Sequence, residues 1–170
     1  MSQPAPCVIA SGSQHRLDPE ARNPQLSRFR ELMDRMVVGQ PVRPAISQLV
    51  LLAPDFDSQS FVDLLPELRP MAGAIILYAS DNDTPLKLSQ QLSGYPRLGQ
   101  AGNVLTVVEG METIDVSSAG RYQFTGHEYF NFHPKVAADI VALLGTGAAA
   151  PGRTGLQTRL HDGIRYWEFE

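Results

Sequence analysis

The chain has a single cysteine, few charges and no long apolar run, and each shortage removes a class of protein. Cys7 cannot form an internal disulfide, so the fold does not rely on cross-links and a reducing, cytoplasmic setting is expected. Charged residues make up 19% of the sequence, with 14 basic and 18 acidic side chains and a net charge of −4. No basic stripe is present, so nucleic acid is not an expected partner. The longest apolar stretches, 49–53, 74–78 and 136–144 with Asp139 inside, fall far short of the ~20 residues a bilayer span needs. The opening residues carry no positive n-region, so neither a membrane segment nor a targeting signal is expected. What remains is a globular balance, 43% hydrophobic over 170 residues, which suits one compact core.

Two continuous apolar runs stand out. Residues 46–53 stop at Pro54, and 72–79 stop at Ser80-Asp81-Asn82-Asp83. Unbroken apolarity marks strands covered on both faces. A third segment, 111–116, alternates and is expected nearer a sheet edge. Helical periodicity fills the intervals. Residues 25–38 set Leu26, Phe29, Met33, Met36 and Val37 on one face, and 58–68 repeat the pattern with Phe61, Leu64, Leu65 and Leu68, with a break or kink expected at Pro66. Residues 84–92 open with a cap and Pro85 and end at Gly94, and 134–144 are expected to stop at Gly145. Strands alternating with helices predict an α/β fold with a mainly parallel sheet. The chain is expected to divide into an irregular N-terminal segment with one helix (1–45), a core (46–145), and a linker with an aromatic tail (146–170). Tyr166, Trp167 and Phe169 are expected to dock on this chain or on a partner.

In such sheets functional groups gather at the carboxyl ends of the strands. That rule selects the loops holding Asp55, then Ser80 to Asp83, then Gly126-His127-Glu128. An acid followed later in the chain by a histidine is the order of an α/β-hydrolase triad, whose nucleophile comes first. The segments Leu49-Val-Leu-Leu-Ala-Pro-Asp-Phe-Asp57, Ile76-Leu-Tyr-Ala-Ser-Asp-Asn-Asp-Thr-Pro-Leu-Lys-Leu-Ser89 and Gly126-His-Glu-Tyr-Phe130 resemble the second half of an uncharacterised bacterial α/β-hydrolase family. The resemblance spans roughly 46–144 and implies an α/β-hydrolase-like core without that fold's N-terminal strands. It implies that Asp83 is the triad acid and His127 the base, and it places Asp55 in a loop-shaping, substrate-facing segment. The family's His-Ser-Met-Gly elbow is matched only loosely, by Cys7-Val-Ile-Ala-Ser11-Gly12-Ser13-Gln14-His15, which leaves Ser11 and Ser13 as nucleophile candidates.

The implied chemistry is ester hydrolysis through an acyl-enzyme, with His127 taking the serine proton, Asp83 orienting the imidazole and backbone amides binding the oxyanion. A small ester-like molecule would be the substrate, and no cofactor or metal is implied. Plainer readings stand beside these. Asp83 before Thr84-Pro85 is a strong helix cap, and Ser11-Gly12-Ser13 reads as a turn. His127-Glu128-Tyr129-Phe130-Asn131 has Asn where a zinc-protease motif needs its second His, and His133 reads as a cap-region residue. Gly145-Thr-Gly147-Ala-Ala-Ala150 follows a helix, not a strand, so it is no dinucleotide fingerprint. The rival function is a truncated or degenerate hydrolase half acting as a non-catalytic binding or assembly module. Its strand at 46–53 would be unpaired on one side, favouring a homodimer through an open sheet edge or the aromatic tail. A flavodoxin-like binding domain shares the topology class but lacks a phosphate loop.

Overall fold

Six strands form one sheet in a computed structural model that describes residues 7–11, 29–31, 33–35, 38, 44–119 and 133–170. In chain order the elements are β1 (Cys7–Ser11), β2 (Ile46–Leu52), α1 (Ser58–Leu68), β3 (Ala72–Ala79), α2 (Thr84–Ser93), β4 (Glu112–Asp115), α3 (Pro134–Thr146), β5 (Leu156–His161) and β6 (Ile164–Phe169). Spatial order is β1-β2-β3-β4-β6-β5. Every adjacent pair is parallel except the antiparallel β5–β6.

The two apolar runs are β2 and β3, buried on both faces as their composition requires. Leu49, Leu51, Ile75 and Leu77 point to one side, where Phe61, Leu64, Leu65 and Leu68 of α1 cover them. Residues 29–31 and 33–35 are helical, and Phe29 and Met33, four apart, join the same cluster. Val50, Leu52, Ile76 and Tyr78 point the other way, against Leu86 of α2 and Val136, Ile140 and Leu143 of α3. Period-two alternation thus feeds two cores, one per face.

Several expectations change. β2 is not open on one side, because β1 pairs along it from Cys7↔Gln48 to Ser11↔Leu52. β4 is not near an edge, because β6 covers its far side at Ile114↔Trp167 and Asp115↔Glu168. Pro66 does not break α1, which runs two residues past it. Sitting in the last turn, Pro66 removes only its own donor, and the Arg69 amide still reaches the Leu65 carbonyl at 3.0 Å. α3 passes Gly145 and closes at Gly147, whose φ of 68° lets its amide reach Leu143.

The aromatic tail is a hairpin. Asp162 and Gly163 both have positive φ, 50° and 82°, the type I′ geometry that matches strand twist. Trp167 and Phe169 are buried on the α2/α3 face, so these rings dock on their own chain.

Candidate active site

Parallel pairing brings four strand ends level on one edge. Ser11 lies opposite Leu52, Leu52 opposite Tyr78, and Tyr78 opposite Ile114. The β2–α1 loop, the β3–α2 loop and the turn after β4 therefore open on the same rim.

Asp83 sits where the β3–α2 loop becomes helix. It is the N-cap of α2, its Oδ1 accepting the Leu86 amide at 3.0 Å, and it is 0% exposed. The cap role that the plainer reading assigns is thus real. Asp57 plays the same part for α1, accepting from the Ser60 amide at 2.7 Å.

The β3–α2 loop is tied to the turn after β4. The Asp81 amide donates to Ser117 Oγ at 2.8 Å, and Asn82 Nδ2 donates to the Ser117 carbonyl at 3.0 Å. The Ser117 amide in turn donates to Asp115 Oδ1 at 2.8 Å. Burial pushes the Asp115 carboxyl above the usual carboxylate range, opposed by its bonds from Ser117 and reinforced by Glu168 and Asp81.

A strap, residues 96–100, joins two of the loops. Gly99 donates to the Pro54 carbonyl and accepts from the Ser80 amide, both at 2.9 Å, while the Leu98 amide reaches Phe56 at 2.8 Å. Only glycine fits there, since a Cβ would lie 2.7 Å from the Ala53 carbonyl carbon and 2.8 Å from the Pro54 nitrogen. Ala53 itself has a φ of 45°, a left-handed conformation costly for a residue with a side chain. Asp55 faces Arg97 Nε at 3.1 Å and accepts from Ser89 Oγ at 2.8 Å. These bonds fix the shape of its loop. Nothing in the periodicity singles out Arg97 or Gly99, because their role is contact between loops distant in sequence.

Behind the rim, Tyr78, Asp139 and Arg153 form a buried cluster. The Tyr78 hydroxyl donates to Asp139 Oδ2 at 2.7 Å, and Arg153 Nη1 reaches the same hydroxyl at 2.7 Å and Asp139 Oδ2 at 2.9 Å. Burial pushes the Tyr78 phenol far above its ordinary range, against the pull of Arg153, so it stays protonated.

Of the candidate residues, Asp83 and Asp55 stand on the shared rim and Ser11 ends β1 there. The Ser11 side chain, Ser13 and His127 lie outside the described residues. His133 occupies the N-cap position of α3. No group of three metal-ligating side chains occurs among the described residues, and none of their helices is long and apolar enough to cross a membrane. A cleft of about 500 Å³, lined by Gly73, Glu109, Glu112, Arg165 and Trp167 among others, opens at the amino ends of β3 and β4, away from Asp83.

A mainly parallel sheet flanked by helices fits what comparison finds: the family described as alpha/beta hydrolase of unknown function (DUF900) matches residues 25–146. The chain belongs to this family. No curated protein and no solved structure matches it. The DUF900 match ends with α3, so the β5–β6 hairpin and Arg153 lie beyond it, and β1 lies before it.

Proposed function

We propose that this α/β-hydrolase is a serine esterase that cleaves small acyl compounds through an acyl-enzyme. The observation that carries the reading is Asp83, a carboxylate with no exposure placed at the carboxyl end of β3 on the same edge as the end of β1. The chain order then runs serine at or after the end of β1, acid after β3 and histidine after β4, the order of the α/β-hydrolase triad. In this scheme His127 takes the proton from Ser11 or Ser13 as the hydroxyl attacks the carbonyl, and returns it to the leaving alcohol. Asp83 holds the imidazole in the right tautomer, and amides after β1 receive the oxyanion. Water, activated by the same histidine, then frees the acid. Asp55 and Arg97 act as the brace that shapes the rim.

A second reading has its own support. The cap bond to Leu86 gives Asp83 a sufficient structural reason to be where it is, which suits a non-catalytic binding module on the same scaffold.

The two part on one experiment. A fluorophosphonate probe should label the wild-type protein on Ser11 or Ser13, and a short p-nitrophenyl ester should turn over. His127→Ala should abolish both, and Asp83→Asn should cut turnover by about 10³–10⁴-fold. Ser11→Ala and Ser13→Ala identify which hydroxyl reacts. A folded wild-type protein that neither labels nor turns over, or a fully active His127→Ala variant, refutes the esterase reading.

A further inference from the structure

The outer side of β5 is a sheet edge with no strand beyond it among the described residues. The hairpin geometry fixes which of its backbone groups face outward. The two-residue loop Asp162-Gly163 makes His161 and Ile164 the closing hydrogen-bonded pair, so 159/166 and 157/168 are bonded pairs too. The Glu170 amide bonded to the Gly155 carbonyl at 3.1 Å continues that alternation. The N–H and C=O groups of Leu156, Thr158 and Leu160 therefore point away from β6.

This edge carries few of the usual guards, and its one fixed charge, Arg159, is already held by Glu168 Oε1 at 2.6 Å. β5 reads Leu-Gln-Thr-Arg-Leu-His, with no proline, lysine or bulge, and Leu160 is 68% exposed. We propose that it pairs antiparallel with β5 of a second copy of this chain, about a two-fold axis through Thr158.

Register follows from parity and charge. Outward-facing residues must meet outward-facing residues, so the axis passes through a residue, not between two. Centring on Arg159 sets two guanidinium groups opposite each other, a repulsive pair. Centring on Gln157 shortens the overlap. Centring on Thr158 uses the whole strand: Leu160 faces Leu156 of the second copy, Thr158 faces its own equivalent, and Gln157 faces Arg159. All three outward residues then form bonded pairs, giving about six backbone hydrogen bonds. The exposed leucine gains an apolar neighbour on the α3 face, where Leu156 already packs. An isologous contact of this kind joins two six-stranded sheets into one.

Sedimentation equilibrium of the full chain should show a concentration-dependent monomer–dimer equilibrium. Thr158→Pro removes an outward N–H while sparing every β5–β6 bond, and Leu160→Lys sets a charge against the second copy's apolar position. Each should raise the dissociation constant at least tenfold. In a Cys7→Ser background, Thr158→Cys should cross-link on oxidation, because bonded pairs on the axis hold their Cα atoms about 5.5 Å apart, within disulfide reach. His161→Cys in the same background should not. A wild-type protein that is monomeric at all concentrations, or a dimer that both variants leave intact and Thr158→Cys does not cross-link, overturns the proposal.

Discussion

Removing the Arg153 side chain perturbs the buried cluster at the point where the tail enters the core. The Arg153 and Asp139 side chains are 1% and 2% exposed, and their closest atoms are 2.9 Å apart. Solvent screens such a pair little. In Arg153→Met the apolar stem largely survives, but Asp139 keeps its burial without its cation. Breaking a buried pair from one side costs about 3–5 kcal/mol. In a domain of this size that lowers Tm by roughly 2–4 °C for each kcal/mol. The intact cluster is not worth that much net, because Arg153 Nε and Nη2 and Asp139 Oδ1 are buried without hydrogen-bond partners, and Nη2 is 3.8 Å from Glu112 Oε2. Unsatisfied donors carry their own desolvation cost. The triple variant Tyr78→Phe/Asp139→Leu/Arg153→Met removes every polar member at similar volume and should recover most of the loss. Urea denaturation with unchanged m-values measures both. A loss below about 1 kcal/mol for Arg153→Met, the range of an exposed pair, refutes the reasoning. A triple variant no more stable than the single one does the same.

Two further outcomes follow from the rim. Gly99→Ala drives a methyl into the Ala53–Pro54 backbone, which cannot rotate away, and should cost at least about 1–3 kcal/mol in chemical denaturation. Gly94→Ala is its contrast: its φ is 79° but nothing lies within 4 Å, so only the conformational penalty of about 1–2 kcal/mol is expected there, and a Gly99→Ala cost below about 1 kcal/mol would contradict the packing argument. The raised Asp115 carboxyl gives a pH test. The folded protein holds that proton to higher pH than the unfolded chain, so the group's contribution to stability falls as pH rises from the unfolded value near 4 through the folded one. Asp115→Asn keeps an oxygen for the Ser117 amide and removes that loss. Its Tm relative to wild type should climb as pH rises above about 4, and parallel pH profiles would rule out the assignment.

β2 and β3 were legible in the sequence because double burial leaves an unbroken apolar run, and α2 because Asp83, Pro85 and Gly94 mark both its ends. The stop of α3 was misread because Gly145 and Gly147 both offer a left-handed cap. The later one prevails, with Thr146 Oγ1 donating back to the Ala142 carbonyl at 2.7 Å. The hairpin has its own sequence signal, Asp162-Gly163 between two alternating segments. The aromatic rings of 164–169 mask its strand period, and without β6 beside it β4 looks like an edge strand. The rim strap had no comparable signal. Asp55 and Arg97 are 42 residues apart, and what joins them is tertiary contact.

The hairpin beyond the DUF900 match bears on the site in a way its sequence position hides. β6 ends beside β4, and its last residues hold both flanks of the stretch that carries His127. On one flank Ser118 Oγ donates to the Phe169 carbonyl at 2.8 Å, and on the other Lys135 Nζ donates to the Glu170 carbonyl at 2.7 Å. Arg153 fixes the start of the same hairpin to Tyr78, one residue before the end of β3 and five before Asp83. The β3–α2 loop and the flanks of the histidine stretch are thus referred to one frame, a short antiparallel pair wedged against the family core. In the proposed esterase scheme the two loops must meet, and an element bonded beside both is positioned to set their separation. Disturbing it from the far side, at Arg153, should reach the rim through Tyr78 and β3 and not through solvent.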